Sequence, residues 1–177
     1  MTIENAEPFF AWDVLSWLFV AIIVAIVIVL LDLLCDLALA CDFVMAAPSA
    51  SFSMAYLKRG LIPDGGGLYF LPRRVGISRA KELIFSARTV VADEAEKIGL
   101  VDRVTNAEGL VKDAAKWLEK LSFGSASSIA LSKSMLNQSV DLPLETVFAL
   151  GAEAQSICYA SDEHRDAVTA FLDKPAR

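Results

Sequence analysis

At 177 residues the chain has material for one ordinary domain and too little for two well-filled ones. With 55% hydrophobic residues, 21% charged residues and a mean hydropathy of +0.51, it is too apolar to be disordered and lacks a collagen-like or disulfide-scaffold composition. The net charge of −6 argues against a nucleic-acid binder, which needs a basic face to neutralise phosphates. That charge is unevenly placed. Before Lys58 the chain carries Glu4, Glu7, Asp13, Asp32, Asp36 and Asp42 but no Lys or Arg, so all sixteen basic residues follow.

In chain order, the first feature is Val14 to Leu31, eighteen residues without a charge. A run that is apolar all round must be buried by protein or by lipid, and its length sits at the lower edge of the ~20 residues of a membrane span. Trp12 and Trp17 would suit interfacial anchors, but no basic residues flank the run and Asp32 and Asp36 follow it. Its density of β-branched residues equally suits a buried strand running into a buried helix. Both readings, core element and membrane span, stay open at this level.

The segment 43–55 reads as two short strands broken at Pro48 and Ser49. A loop is expected from Gly60 to Gly76, with Gly65, Gly66 and Gly67 permitting close backbone approach and positive φ. A Ser-capped helix is expected over 78–87, a short helix over 92–100 ending near Gly99, and a strand over 100–105. Helices are expected over 107–121, 125–138, 142–160 and 162–172. Strands come early and helices late, with a C-terminal helical layer suited to assembly. The expected division is an apolar segment 1–34, an α/β core 35–105 and a helical region 106–177.

Chemistry-bearing motifs are few. Cys35, Cys41 and Cys158 form no CxxC and have no histidine at ligand spacing, so neither a disulfide framework nor a metal site is expected. A reducing, cytoplasmic setting fits them, with membrane association through 14–31 as the alternative. His164 is the single histidine, and it reads as a solvated surface residue.

Four ordered blocks carry a resemblance: CDLALACD, LIPDGGG, the TxxAxEAxxxGLV pattern from Thr89 to Val101, and SDEHRDAVTAFLDK. From about Cys35 to the C-terminus the chain resembles the second half of the crotonase superfamily, the enoyl-CoA hydratases and isomerases. The resemblance implies an α/β fold, a partial ββα spiral, followed by C-terminal helices that build homotrimers or hexamers. It implies an acyl-CoA thioester substrate, hydrated or isomerised through an enolate held in an oxyanion hole. No cofactor is implied, since CoA enters as part of the substrate.

Carried over by position, Asp36 stands where the hydratases have their first catalytic Glu, one methylene shorter. Tyr56 stands where they have the second, and at an ordinary phenol pKa near ~10 it reads as pocket lining. Asp64 matches the acid that several family isomerases use as a proton shuttle, with Gly65 and Gly66 beside it against substrate. An oxyanion-hole N–H falls at Leu33, where VLLDLL (Val29 to Leu34) stands in place of a glycine-rich turn. Phe171 and Lys174 match residues that touch the CoA nucleotide. The resemblance does not extend to the family's N-terminal half, so a non-catalytic or membrane-tethered scaffold that keeps the helical assembly surface is the alternative function.

Overall fold

The computed structural model describes residues 34–122 and 124–173. The apolar run 14–31 therefore lies outside the described residues, as do Leu33 and Lys174. The chain divides into two compact units, one ending at Val111 and one starting at Lys112. No helix among the described residues is long and apolar enough to cross a membrane.

The first unit opens with helical residues 34–39 (α1), followed by β1 (Met45–Ala46) and β2 (Ser51–Ser53). A 3-10 helix, Ala55–Arg59, leads to α2 (Gly67–Val75) and α3 (Ile77–Ser86). Then come β3 (Thr89–Val91), α4 (Ala92–Lys97) and β4 (Arg103–Val104). β1 pairs in parallel with β4, Met45 opposite Arg103, while β2 pairs antiparallel with β3, Phe52 opposite Val90. The core draws on most of these elements: Leu39, Met54 and Tyr56 meet Leu71, Ala80, Leu83, Val90, Ala95, Leu100 and Val101. α3 shows how pattern becomes packing, because Ala80, Leu83 and Ile84 recur at helical spacing and are buried, leaving Ile77 and Phe85 exposed.

Arg74 ties this unit together. Its guanidinium donates to the carbonyls of Cys41 (3.1 Å), Asp42 (3.3 Å) and Leu100 (3.4 Å), and to Asp102 Oδ2 (3.1 Å). The same Asp102 oxygen accepts the Val44 N–H at 2.6 Å. One side chain of α2 thus bonds carbonyls left open after α1 and before β4, of which that of Leu100 lies in a buried residue.

The second unit is helical: α5 (Leu110–Leu121) crosses the division, followed by α6 (Ala126–Ser139), α7 (Leu144–Ala160) and α8 (Asp162–Leu172). Ser125 and Ser161 cap α6 and α8, accepting the N–H of Ser128 and His164. The hydroxyls of Ser125 and Ser127 both donate to Glu163, the latter at 2.7 Å.

Several expectations needed correction. The stretch 67–75 is helix, not loop, although Pro72 lies inside it and removes one helical donor. Burial of Leu71 and the bonds of Arg74 hold the turn that Pro72 weakens. α3 starts one residue before Ser78 and its N-cap is Gly76, so Ser78 sits inside the first turn and caps nothing. The expected strand over 100–105 shortens to Arg103–Val104, because the amides of Leu100 and Val101 turn back to the Ala95 carbonyl after Gly99 adopts φ 77°. β3 was not anticipated as a strand. His164 is half-buried rather than solvated, its ring edge-on to Tyr159 at 5.1 Å.

Candidate functional site

Three segments far apart in sequence converge around one carboxyl group. α1 carries Asp36, which has no solvent exposure. The 3-10 helix carries Tyr56, itself buried, whose hydroxyl donates to Asp36 Oδ2 at 2.7 Å. The loop before α2 closes over the other oxygen, and Oδ1 makes no well-formed hydrogen bond to any of the described residues.

Glycine makes that closure possible at two positions, for different reasons. Gly66 has φ 113° and caps α2 without a side chain, in a region of backbone space that L residues rarely occupy. At Gly67 the issue is space: a Cβ would stand 2.6 Å from Asp36 Oδ1 and 2.8 Å from the Pro63 Cβ. The absence of a side chain therefore lets the first turn of α2 rest on the Asp36 carboxyl.

The electrostatics follow from this burial. Desolvation pushes the Asp36 carboxyl above the usual carboxylate range, against the Tyr56 hydroxyl bond and the nearby Gly67 amide. The Asp64 charge raises it further, and the Gly65 amide opposes. Burial and then the bond to Asp36 push the Tyr56 phenol upward as well, so it stays a neutral donor. Cys35 is raised to about 11 by burial and by Asp36, which leaves it a thiol and no nucleophile. Asp64 itself is solvent-exposed at the mouth of the loop, as is Gly65.

The residues singled out by resemblance thus separate. Asp36, Tyr56, Asp64, Gly65 and Gly66 gather in the first unit around α1 and the start of α2. Phe171 belongs to the helical unit, on α8, with 73% of its surface exposed. Leu33 and Lys174 fall outside the described residues. Sequence reasoning missed the specific part of Gly67 and the burial of Pro63. The run of three glycines signalled close approach without saying which residue needed it. No group of three His, Cys, Asp or Glu among the described residues is placed to hold a metal ion. A crevice of about 400 Å³ lined by Ser78, Arg79, Glu82, Arg88, Glu94 and Ile98 shares none of these site residues, and its Arg88 is held by both Glu82 and Glu94.

Comparison with known proteins gives this constellation its context. A family model described as enoyl-CoA hydratase/isomerase matches residues 35–176. The chain is 34% identical over 140 residues to a short-chain-enoyl-CoA hydratase of Clostridium acetobutylicum, covering 79% of this chain and 54% of that protein. Among solved structures it is similar to an enoyl-CoA hydratase/isomerase from Cupriavidus metallidurans CH34, with 43% identity and a TM-score of 0.75 over 81% of this chain and 57% of the other. An enoyl-CoA hydratase from Bacillus anthracis matches at 32% identity and a TM-score of 0.75, over 78% and 54% of the two chains. The chain spans about half the length of the curated relatives it matches. An α/β unit with a helical C-terminal unit, matched along nearly all of residues 35–176, makes this chain a member of the enoyl-CoA hydratase/isomerase family.

Proposed function

We propose that the site serves double-bond isomerisation of an acyl-CoA thioester, with Asp64 as the single proton shuttle. One observation carries the choice of isomerisation over hydration. Asp36 and Tyr56 stand at the two positions where the resemblance places hydratase carboxylates, and here they are bonded to each other out of solvent. Adding water across a double bond calls for two groups that hold and split the water. Asp64 is the exposed carboxylate of the group, and a 1,3-proton shift needs only one.

In that step the Asp64 carboxylate takes a proton from the carbon beside the thioester carbonyl of a 3-enoyl chain. The electron pair moves into the carbonyl, giving a dienolate that backbone N–H donors would stabilise as charge develops. Asp64 then returns the proton at the far end of the conjugated system, giving the 2-enoyl isomer. Protons and electrons balance within the substrate, so the reaction calls for no metal or redox group. A cytoplasmic setting goes with this reading, since Cys35, Cys41 and Cys158 are all free thiols. Assembly with further copies of the chain goes with it too, supported by the exposed apolar residues Leu144, Phe148 and Ile157 of α7.

The test is turnover of a 3-enoyl-CoA by the chain and its Asp64→Asn variant. The expected result is a loss of about 100-fold or more, the scale of one general base, with acyl-CoA binding retained. Unchanged turnover in Asp64→Asn removes that residue from the mechanism. Faster hydration of a 2-enoyl-CoA than isomerisation replaces the isomerase reading by a hydratase one.

A further inference from the structure

We propose that Asp36 works as a neutral carboxylic acid locked by Tyr56, a positioning residue that seats the Gly65–Gly67 turn and with it Asp64, and not as a second proton-transfer group. This rests on the isomerase reading for its consequence on turnover, but not for the protonation state itself.

The geometry points one way at each atom. Asp36 is wholly shielded from solvent, whereas Asp64 is exposed on the loop, so the two carboxyls sit in opposite surroundings. Oδ2 is already occupied by the Tyr56 hydroxyl. Oδ1 lies under Gly67 and makes no well-formed hydrogen bond to any described residue, a costly arrangement for a full negative charge and a cheaper one for a neutral acid. The charged and titratable groups that face it agree. Tyr56 on the 3-10 helix and Cys35 on α1 are neutral, and Asp64 on the loop is an acid that disfavours a second negative charge. Against this stand the Gly67 and Gly65 amides, which favour the ion but are outweighed by burial.

What the pair does is mechanical. Gly67 can rest on the carboxyl because it carries no side chain, and Asp64 lies three residues before it on the same turn. Tyr56 fixes the carboxyl rotamer from the opposite side, so the loop, the 3-10 helix and α1 share one register.

The experiment compares the thermal midpoint of the full chain and of Asp36→Asn from about pH 5 to pH 8. A group whose folded pKa lies above its unfolded value gives stability that is lost as pH rises through the folded value. The wild type is therefore expected to lose ground to Asp36→Asn as pH rises, since the amide cannot ionise. A difference that is flat with pH, or that shrinks, overturns the proposal. The infrared band of a protonated, solvent-shielded carboxyl at pH 7, present in the wild type and in Asp64→Asn, gives a reading that needs no Asp36 variant to fold, and its absence also overturns the proposal. With turnover as readout, Asp36→Asn is expected to lose less than about threefold where Asp36→Ala loses more than about thirtyfold, whereas equal losses mark Asp36 as a proton-transfer group. If the chain turns over no acyl-CoA, the isomerase reading fails while the midpoints and the infrared band still decide this one.

Discussion

The two units of this chain treat their apolar side chains in opposite ways. Among the described residues, every buried one lies between Asp36 and Val101, and none lies from Lys112 onward. The first unit has short strands and short helices but hides Leu71, Val90 and Val101 almost completely. The second has longer helices, α6 on α7 and α7 on α8, yet leaves Phe148 with 69% of its surface exposed. The lesson is that helical content and core are separate achievements. In the second unit local chemistry, the Ser125 and Ser161 caps and their bonds, builds helices whose apolar faces are not consumed within it.

The sharpest way to break that contrast is a pair of truncations. Leu71→Ala removes a fully buried side chain and is expected to cost about 2–5 kcal/mol, read as a lower urea midpoint. Phe148→Ala removes a larger group and is expected to cost under about 0.5 kcal/mol in dilute solution. An equal loss at every concentration would mean that Phe148 has a core of its own and that the contrast is wrong. A loss that grows with protein concentration would sharpen it, since a face covered by other copies is stabilised by mass action.

A smaller effect comes from one substitution made in both units. Gly67→Ala drives a Cβ into Asp36 and Pro63 and is expected to destabilise by about 1–3 kcal/mol. Gly151→Ala, inside α7 with open space around it, is expected to stabilise by about 0.5–1 kcal/mol through helix propensity. Thermal midpoints of opposite sign support the contrast, and a shared sign removes it.

The smallest effect is electrostatic. Arg88 holds Glu82 and Glu94 below the usual carboxylate range, and the Ser125 and Ser127 hydroxyls do the same for Glu163. Folded values below the unfolded one mean stability present above about pH 4.5 and lost as pH falls through the folded values. An acid titration of the thermal midpoint should flatten in Arg88→Met. High salt should weaken the contribution of Arg88, a pair of ionic contacts, more than that of the neutral hydroxyls on Glu163.

Legibility in the sequence follows the same divide. α6, α7 and α8 were readable because helix signals are local, with serine caps on α6 and α8, and the observed ends fall within about two residues of those expected. α2 was not, since Pro72 and the glycines before it are loop signals that only the burial of Leu71 and the reach of Arg74 outweigh. The family resemblance singled out Asp36 and Tyr56 as candidate positions. It did not indicate that the two would bond to each other across twenty residues of chain, because that bond depends on where the 3-10 helix turns Tyr56. Gly66 and Gly67 look alike in sequence and differ only once φ at one and contact at the other are known.

Arg74 also has a meaning in time. Its partners lie 26 to 33 residues away along the chain, at Leu100, Asp102, Cys41 and Asp42, on both sides of α2 in sequence. Long-range contacts of this kind repay their loop-closure entropy only after distant segments have met. The guanidinium is therefore expected to lock late in folding, when the stretch after α1 and the turn before β4 have both arrived. A change at Arg74 belongs among those that hasten unfolding more than they slow folding, so its cost falls on the lifetime of the native state rather than on the speed of reaching it.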